Sequence, residues 1–110
     1  MSSEAVLVLT TCANPAEAEK LADLLVADRL AACVNRIDAV ASTYRWQGRV
    51  ERATESLLLI KTTEQKYGAL EQAIRDHSTY ELPEIIAVRV GAGSLAYLDW
   101  IGASVRSEQS

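Results

Sequence analysis

The segment that decides the fold reads, from residue 44 to residue 60, Tyr44-Arg45-Trp46-Gln47-Gly48-Arg49-Val50-Glu51, then Arg52-Ala53-Thr54-Glu55-Ser56, then Leu57-Leu58-Leu59-Ile60. The Gln47-Gly48 pair is a turn signal between two stretches with β-strand character, and it predicts a hairpin. Upstream, the residues with β-strand character extend back to Ala32. Their alternation of apolar and polar side chains is interrupted near Asp38-Ala39, which predicts a bulge. Downstream, the second strand extends to Thr62, and its apolar run is typical of a strand buried on both faces.

A strand and a helix precede this hairpin. Glu4 to Cys12 is an apolar run of strand length without alternation, which again predicts burial on both faces. The helix begins at Asn14-Pro15-Ala16-Glu17, because Asn14 suits the cap, Pro15 suits the first helical position and Glu17 completes a capping box. We expect this helix to end near Arg29.

A helix, a strand and a short helix follow the hairpin. Thr62 with Gln65 predicts the cap of the second helix, which stops before Ser78-Thr79. The residues Ile85 to Val90 predict the fourth strand, and Ser94 is expected to cap a short last helix. We therefore predict an α+β fold, a ferredoxin-like βαββαβ plait with a long β2–β3 hairpin and a short C-terminal helix. One domain is expected over residues 1–110, with a frayed tail at 106–110.

Two features of this plait predict an oligomer. Both helices cover the same face of the sheet, yet the first, third and fourth strands are apolar on both sides, so an apolar patch would remain uncovered. The hairpin strands are expected to be about 12 to 16 residues long, roughly 40 to 50 Å, whereas such a domain has a radius of gyration of about 13 Å. The hairpin should therefore overhang the body, and a second copy of the chain is the expected cover.

Composition limits the function. The chain has 110 residues with a net charge of −4, so we expect no nucleic-acid partner and no anionic-membrane partner. It lacks a long apolar run and a basic-then-apolar start, which predicts a cytoplasmic protein. Its cysteines, Cys12 and Cys33, are too few for a disulfide framework, and the single histidine, His77, limits the chemistry of any site.

Five motifs in order resemble one known family. They are Ala31-Ala32-Cys33-Val34-Asn35, Tyr44-Arg45-Trp46-Gln47-Gly48-Arg49-Val50-Glu51, Leu59-Ile60-Lys61-Thr62, Tyr80-Glu81-Leu82-Pro83-Glu84-Ile85 and Tyr97-Leu98-Asp99-Trp100. Together they resemble the CutA divalent-cation tolerance proteins over about Val6 to Val105. The resemblance implies a cytoplasmic homotrimer similar in fold to the PII signalling proteins, and a link to copper and other divalent cations.

The resemblance also gives a metal hypothesis. Some members place a copper-binding cysteine where this chain has Cys12, with a His-His pair just before Pro-Tyr. Here the corresponding residues are His77-Ser78 followed by Thr79-Tyr80, so one imidazole and the proline are missing. Cys12 and His77 would then bind copper weakly, because a thiolate and an imidazole suit copper but are only two ligands. The alternative is a buried Cys12 and a solvated His77 near a helix C-terminus.

A second group of residues could line a cleft between subunits. Charged and aromatic side chains converging at a subunit boundary would suit a small anion or metabolite, as in the related PII fold. The alternative is interface packing with satisfied ion pairs. The residues are Tyr44, Arg45, Trp46, Glu51, Lys61, Tyr80, Glu81 and Glu84.

Enzymatic activity is not expected. An acylphosphatase-like hydrolase with this fold would need an arginine in a glycine-rich loop after the first strand, and Thr10 to Asn14 contains neither residue type. A Ser-His-Asp or Cys-His mechanism would require His77, for which the sequence shows no partner. Two functions therefore remain: a protein of divalent-metal tolerance that binds copper weakly, or a PII-like trimer that senses a small ligand.

Overall fold

The structure is a computed structural model that describes residues 4–106, so residues 107–110 of the predicted frayed tail lie outside the described residues. The elements follow the predicted order. They are β1 (Ala5–Cys12), α1 (Pro15–Ala27), β2 (Cys33–Trp46), β3 (Arg49–Thr63), α2 (Glu64–His77), β4 (Ile85–Arg89) and α3 (Leu95–Val105). No helix in this range is long and apolar enough to cross a membrane.

The four strands form one antiparallel sheet in the order β2-β3-β1-β4. This is the order that a βαββαβ chain adopts when both helical connections are right-handed, and it confirms the predicted plait. Strand β1 lies at the centre, with Leu9 opposite Leu59 on β3 and Ile86 on β4. Its burial on both faces, predicted from the lack of alternation, is confirmed by the pattern along Ala5–Cys12.

Helices α1 and α2 pack on the same face of the sheet. The core between them and the sheet contains fully buried side chains from both layers, among them Val8, Leu25, Leu58, Ile60 and Leu70. Helix α1 begins as predicted, because the side chain of Asn14 accepts a hydrogen bond of 2.9 Å from the backbone N–H of Glu17.

The start of α2 differs from the prediction by one residue. Thr63, not Thr62, is the cap residue, and its side chain makes no capping hydrogen bond. Thr62 instead belongs to β3, where its buried hydroxyl donates a hydrogen bond of 2.7 Å to the carbonyl of Leu30. The strand continues one residue further than expected, because Thr63 pairs with Ala5 on β1.

The hairpin closes through a tight turn with positive φ at Gln47 (50°) and Gly48 (80°). This is the backbone that a two-residue hairpin turn requires, and glycine adopts it without steric cost. The predicted bulge is present, because Ile37 pairs with Leu57 and Val40 pairs with Glu55. Two residues, Asp38 and Ala39, therefore lie opposite Ser56 alone, and Ala39 takes a positive φ of 61°.

The hairpin overhangs the rest of the sheet. Strand β1 ends at Cys12 opposite Ser56, so residues 49–55 of β3 pair with β2 on one side and with no strand among the described residues on the other. The overhang is about 23 Å long at about 3.3 Å per residue. It explains the elongated shape, with principal extents of 48 × 29 × 21 Å.

The second face of the sheet is only partly covered. Helix α3 packs Ile101 and Val105 against Ala5 and Ala32 in a smaller core. Beyond this contact, half-buried and exposed apolar side chains continue across all four strands of that face. They are Leu7, Leu9, Ile37, Leu57, Leu59, Ile86 and Val88. Ile37, Ile86 and Val88 are each about half exposed, at 50–51%.

Candidate functional site

Two cavities meet where β1 ends. The smaller has a volume of about 180 Å³ and lies between the end of β1, helix α1 and the end of α2. It brings Cys12 and His77, the two metal ligands predicted from the sequence, into the lining of one cavity. They converge because, in this plait, β1 and α2 both terminate at the same end of the sheet.

Cys12 is protected from solvent. Its side chain is 8% exposed, and burial, with smaller contributions from Glu17 and Glu55, raises the pKa of the thiol to about 11. A buried thiol near two carboxylates is a proton-bearing group at neutral pH, since desolvation and negative neighbours both disfavour the thiolate. A metal that binds here must therefore displace a proton.

His77 is oriented by its own helix. Its Nδ1 lies 2.9 Å from the carbonyl oxygen of Ala73, one turn earlier in α2. Because a carbonyl only accepts hydrogen bonds, this contact requires the proton on Nδ1 and leaves Nε2 as the ring atom that can bind a metal. The side chain is exposed, unlike that of Cys12.

Residues 4–106 offer no third metal ligand beside Cys12 and His77. Glu17 also lines the small cavity, but Oε2 accepts from Asn14 and Oε1 accepts from Thr79 at 2.9 Å. Within residues 4–106, no group of three or more histidine, cysteine or acidic side chains is arranged to hold a metal ion. The donor types of Cys12 and His77 fit copper, whereas their number fits only a weak site.

A buried threonine also lines the small cavity. Thr10 is 1% exposed, and its hydroxyl oxygen is buried without a hydrogen-bond partner among the described residues. Buried hydroxyl groups are normally satisfied in proteins.

The larger cavity is a cleft of about 830 Å³ between the overhanging hairpin and the α2–β4 connection. The structure places six of the eight side chains predicted for a ligand cleft together in its lining. They are Tyr44, Arg45, Trp46, Tyr80, Glu81 and Glu84. Its volume is within the range typical of small-molecule sites.

Tyr80 and Glu55 connect the two walls of this cleft. The Tyr80 hydroxyl donates a hydrogen bond of 2.7 Å to Oε2 of Glu55, and both side chains are half-buried. Burial and then Glu55 raise the pKa of Tyr80, so the phenol keeps its proton and remains a donor. Glu55 was missed by the sequence analysis, because its position in a polar stretch of β3 resembles an ordinary solvated residue.

Two residues predicted for the cleft lie outside its lining. Glu51 pairs across the hairpin with Tyr44, so it lies beside the cleft rather than in it. Lys61 lies near the far end of β3, opposite Cys33, where its Nζ donates to Asn35 at 2.8 Å and lies 5.7 Å from the centre of the Tyr97 ring. The register separates it from Glu55 by six residues, or about 20 Å, so Lys61 does not line this cleft within the same chain.

The two cavities share a wall. Thr11, Thr79 and Tyr80 line both the small cavity and the cleft. The α2–β4 connection therefore contacts the Cys12–His77 pair on one side and the aromatic and acidic residues of the cleft on the other.

Comparison with known proteins gives consistent results. A family profile described as CutA1 divalent ion tolerance protein matches residues 6–104. The Divalent-cation tolerance protein CutA of Thermus thermophilus is 41% identical over 95 residues, which are 86% of this chain and 92% of that protein. The crystal structure of CutA from Xylella fastidiosa superposes with a TM-score of 0.91 at 40% identity, covering 94% of this chain and all of that one.

Plant relatives are longer. Protein CutA 1, chloroplastic, of Oryza sativa is 37% identical over 101 residues, which are 92% of this chain but 57% of that protein. The chain thus spans little more than half the length of this relative and of a chloroplastic relative from Arabidopsis thaliana.

Proposed function

Because the chain belongs to the CutA1 divalent ion tolerance protein family, we propose that it acts as a homotrimer in the response of the cell to divalent metal ions and binds copper weakly through Cys12 and His77. The family is a non-catalytic one, so the chain is not an enzyme. The trimer and the copper site are the parts of this statement that go beyond family membership.

The observation that supports the assembly is the uncovered apolar face of the sheet. Ile86 and Val88 on β4 and Ile37 on β2 are half exposed, and the half-buried Leu9 of β1 lies between them. Monomeric proteins rarely leave such a continuous apolar surface in water. The overhanging segment 49–55 adds an unpaired strand edge, and a second copy of the same chain covers both with closed symmetry.

Copper is proposed because of the two atoms that could bind it. The Nε2 atom of His77 is available for a metal, and the Cys12 thiol lines the same cavity. Bound there, copper would be held by a soft sulfur and a borderline nitrogen, which is a combination that it prefers. The affinity is expected to be low, because binding must displace the Cys12 proton and residues 4–106 of one chain supply only two ligands.

Native mass spectrometry of the metal-free protein tests both parts. We expect a trimer that takes up about one copper ion per subunit at micromolar copper(II), with uptake lost in Cys12→Ser and in His77→Ala. Cys33→Ser is the matched control, because Cys33 pairs with β3 at Lys61 whereas Cys12 pairs at Ser56. A monomer would overturn the assembly, and a trimer that stays metal-free would overturn copper binding alone. Zinc, added separately, reports the metal preference.

The cytoplasmic location expected from the sequence also belongs to this proposal. Two relatives carry the word chloroplastic in their names, so the family is not confined to one compartment. Fractionation of the source cells with an antibody against the protein tests it, and enrichment in an organelle or periplasmic fraction would contradict it.

A second candidate function is that of a PII-like trimer that senses a small ligand. It is favoured by the cleft, since six side chains drawn from two separate sequence motifs line one cavity of about 830 Å³. A panel of small metabolites in a thermal-shift assay tests it. A ligand that raises the Tm of the wild type, but not that of a Glu81→Gln/Glu84→Gln variant, would support this function.

A further inference from the structure

We propose that the cleft between the hairpin and the α2–β4 connection binds a small organic cation, such as an amine, rather than an anion. The proposal rests on the second candidate function and adds the chemical class of its ligand. Lys61, a basic residue predicted for the same group, lies near the other end of β3 and does not line this cleft within the chain.

The charge of the cleft is acidic. Its lining contains three glutamates, Glu55, Glu81 and Glu84, against one cationic side chain, Arg45, which leaves a net charge of −2. An anion entering this cleft would meet a repulsive potential, whereas a cation would be attracted. A net negative charge is also found on ordinary solvated surfaces. Whether the cleft is a ligand site therefore depends on the other residues that line it.

Aromatic rings supply the second element of cation recognition. Tyr44, Trp46 and Tyr80 line the cleft, which is three of the six tyrosine and tryptophan side chains in the chain. Tyr44 is 45% exposed, a high value for a large ring. The π faces of tyrosine and tryptophan attract ammonium groups, and a cleft that combines such rings with carboxylates matches the known recognition of organic cations.

One carboxylate of the cleft is held by a hydrogen bond, and two are free to bind a ligand. Glu55 is fixed by the hydroxyl of Tyr80 at 2.7 Å through one of its oxygens, Oε2. No hydrogen bond or ion pair within residues 4–106 engages the side chain of Arg45, Glu81 or Glu84. The two free carboxylates, Glu81 and Glu84, therefore remain available to accept hydrogen bonds from an ammonium group, and charge-assisted bonds of that kind are the strong ones.

A series of four-carbon probes tests the charge preference on the intact, metal-free protein. Putrescine carries two ammonium groups, 1,4-butanediol is neutral, and succinate carries two carboxylates. We expect saturable binding of putrescine by isothermal titration calorimetry and no binding of the other two. In a Trp100→Phe background, Trp46 is the only tryptophan left. Putrescine should change the Trp46 fluorescence, and the dissociation constant from this titration should equal the calorimetric one.

Two matched variants locate the site. Glu81→Gln/Glu84→Gln should weaken putrescine binding by about tenfold or more, because two charged acceptors are lost. Glu19→Gln/Glu71→Gln changes the net charge by the same amount on the outer surface of α1 and α2, and should leave the affinity unchanged. Equal weakening in both variants would show that putrescine senses only net charge and would overturn the site.

The remaining outcomes separate this proposal from the function on which it rests. If succinate binds and putrescine does not, the cation proposal is wrong while a ligand cleft of the opposite charge preference stands. If none of the three probes binds, the cation proposal is also wrong, and the metabolite panel then decides the second candidate function by itself. Copper binding at Cys12 and His77 is measured independently of all three probes.

Discussion

The Tyr80 hydroxyl donates a hydrogen bond of 2.7 Å to Oε2 of Glu55, and this contact joins the α2–β4 connection to the overhanging part of the hairpin. Glu55 is the first residue of β3 beyond the end of β1, so it has no neighbouring strand on that side within the described residues. The bond therefore supplies support that the sheet itself does not give at this point. It also fixes the wall that the two cavities share.

Tyr80→Phe should lower the free energy of unfolding by about 1 to 2 kcal/mol, because it removes a half-buried hydrogen bond to a carboxylate and leaves the ring in place. Urea denaturation at one fixed protein concentration measures this. Tyr44→Phe is the control, since no hydrogen bond of the Tyr44 hydroxyl is present among residues 4–106. Equal effects of the two substitutions would show that the Tyr80–Glu55 bond contributes nothing specific.

Val88→Glu should dissociate the proposed trimer. Val88 is half exposed on the apolar face opposite Leu7, and a carboxylate buried there in an interface would cost several kcal/mol per subunit. Ala87→Glu is the matched control, because alternation along β4 directs residue 87 to the other face of the sheet. Sedimentation analysis should find a smaller species for Val88→Glu and the wild-type mass for Ala87→Glu. The wild-type mass for both would mean that another surface holds the subunits together.

Local signals in the sequence predicted much of the fold. The Asn14–Glu17 cap, the Gln47-Gly48 turn and the bulge at Asp38-Ala39 are all present, because each depends on the chemistry of a few neighbouring residues. The cap predicted at Thr62 was wrong by one residue, since its hydroxyl bonds to Leu30, which is distant in sequence. Contacts of that kind are not encoded in a local pattern.

The candidate site shows the same division. Tyr44 and Glu81 were assigned to one cleft from separate motifs, and the structure places both in its lining. Glu55 could not be predicted from the sequence. It differs from other polar residues of β3 only in its hydrogen bond to Tyr80, which lies on the α2–β4 connection and is distant in sequence. Lys61 lies apart from this cleft in the same chain because its position depends on strand register, which determines how far along β3 each residue lies from the hairpin turn.

Ala39→Gly should raise the free energy of unfolding by about 0.5 to 1 kcal/mol. Ala39 has a φ of 61° at the bulge, a conformation that is costly for alanine and ordinary for glycine. Ala41→Gly, two residues later in regular β2, should lower it by a similar amount, because there glycine only loses more backbone entropy on folding. If both substitutions destabilise equally, residue 39 does not have a left-handed backbone in solution.

The wild type should lose stability between pH 9 and pH 11 more steeply than Cys12→Ser. Burial raises the pKa of the Cys12 thiol from 9.0 to about 11, so the folded chain holds this proton more tightly than the unfolded chain. The contribution of this raised pKa to the free energy of unfolding is fully present below pH 9. It is lost as the pH rises to 11, at up to about 1.4 kcal/mol per pH unit. Urea denaturation at several pH values measures it. Cys33→Ser should follow the wild type, whereas parallel curves for all three proteins would show that Cys12 is not buried as described.

Copper affinity should increase about tenfold for each unit of pH between pH 7 and pH 8. With the pKa of Cys12 raised to about 11, the thiol carries its proton throughout this range, and each copper ion that binds the sulfur must release one proton. Competition with a chelator of known pH dependence measures the slope, and titration calorimetry in two buffers of different ionisation enthalpy counts the protons. Cys12→Ser should abolish the slope along with most of the affinity. An affinity that is independent of pH in the wild type would mean that copper binds His77 without the thiol, and the two-ligand site would then be wrong.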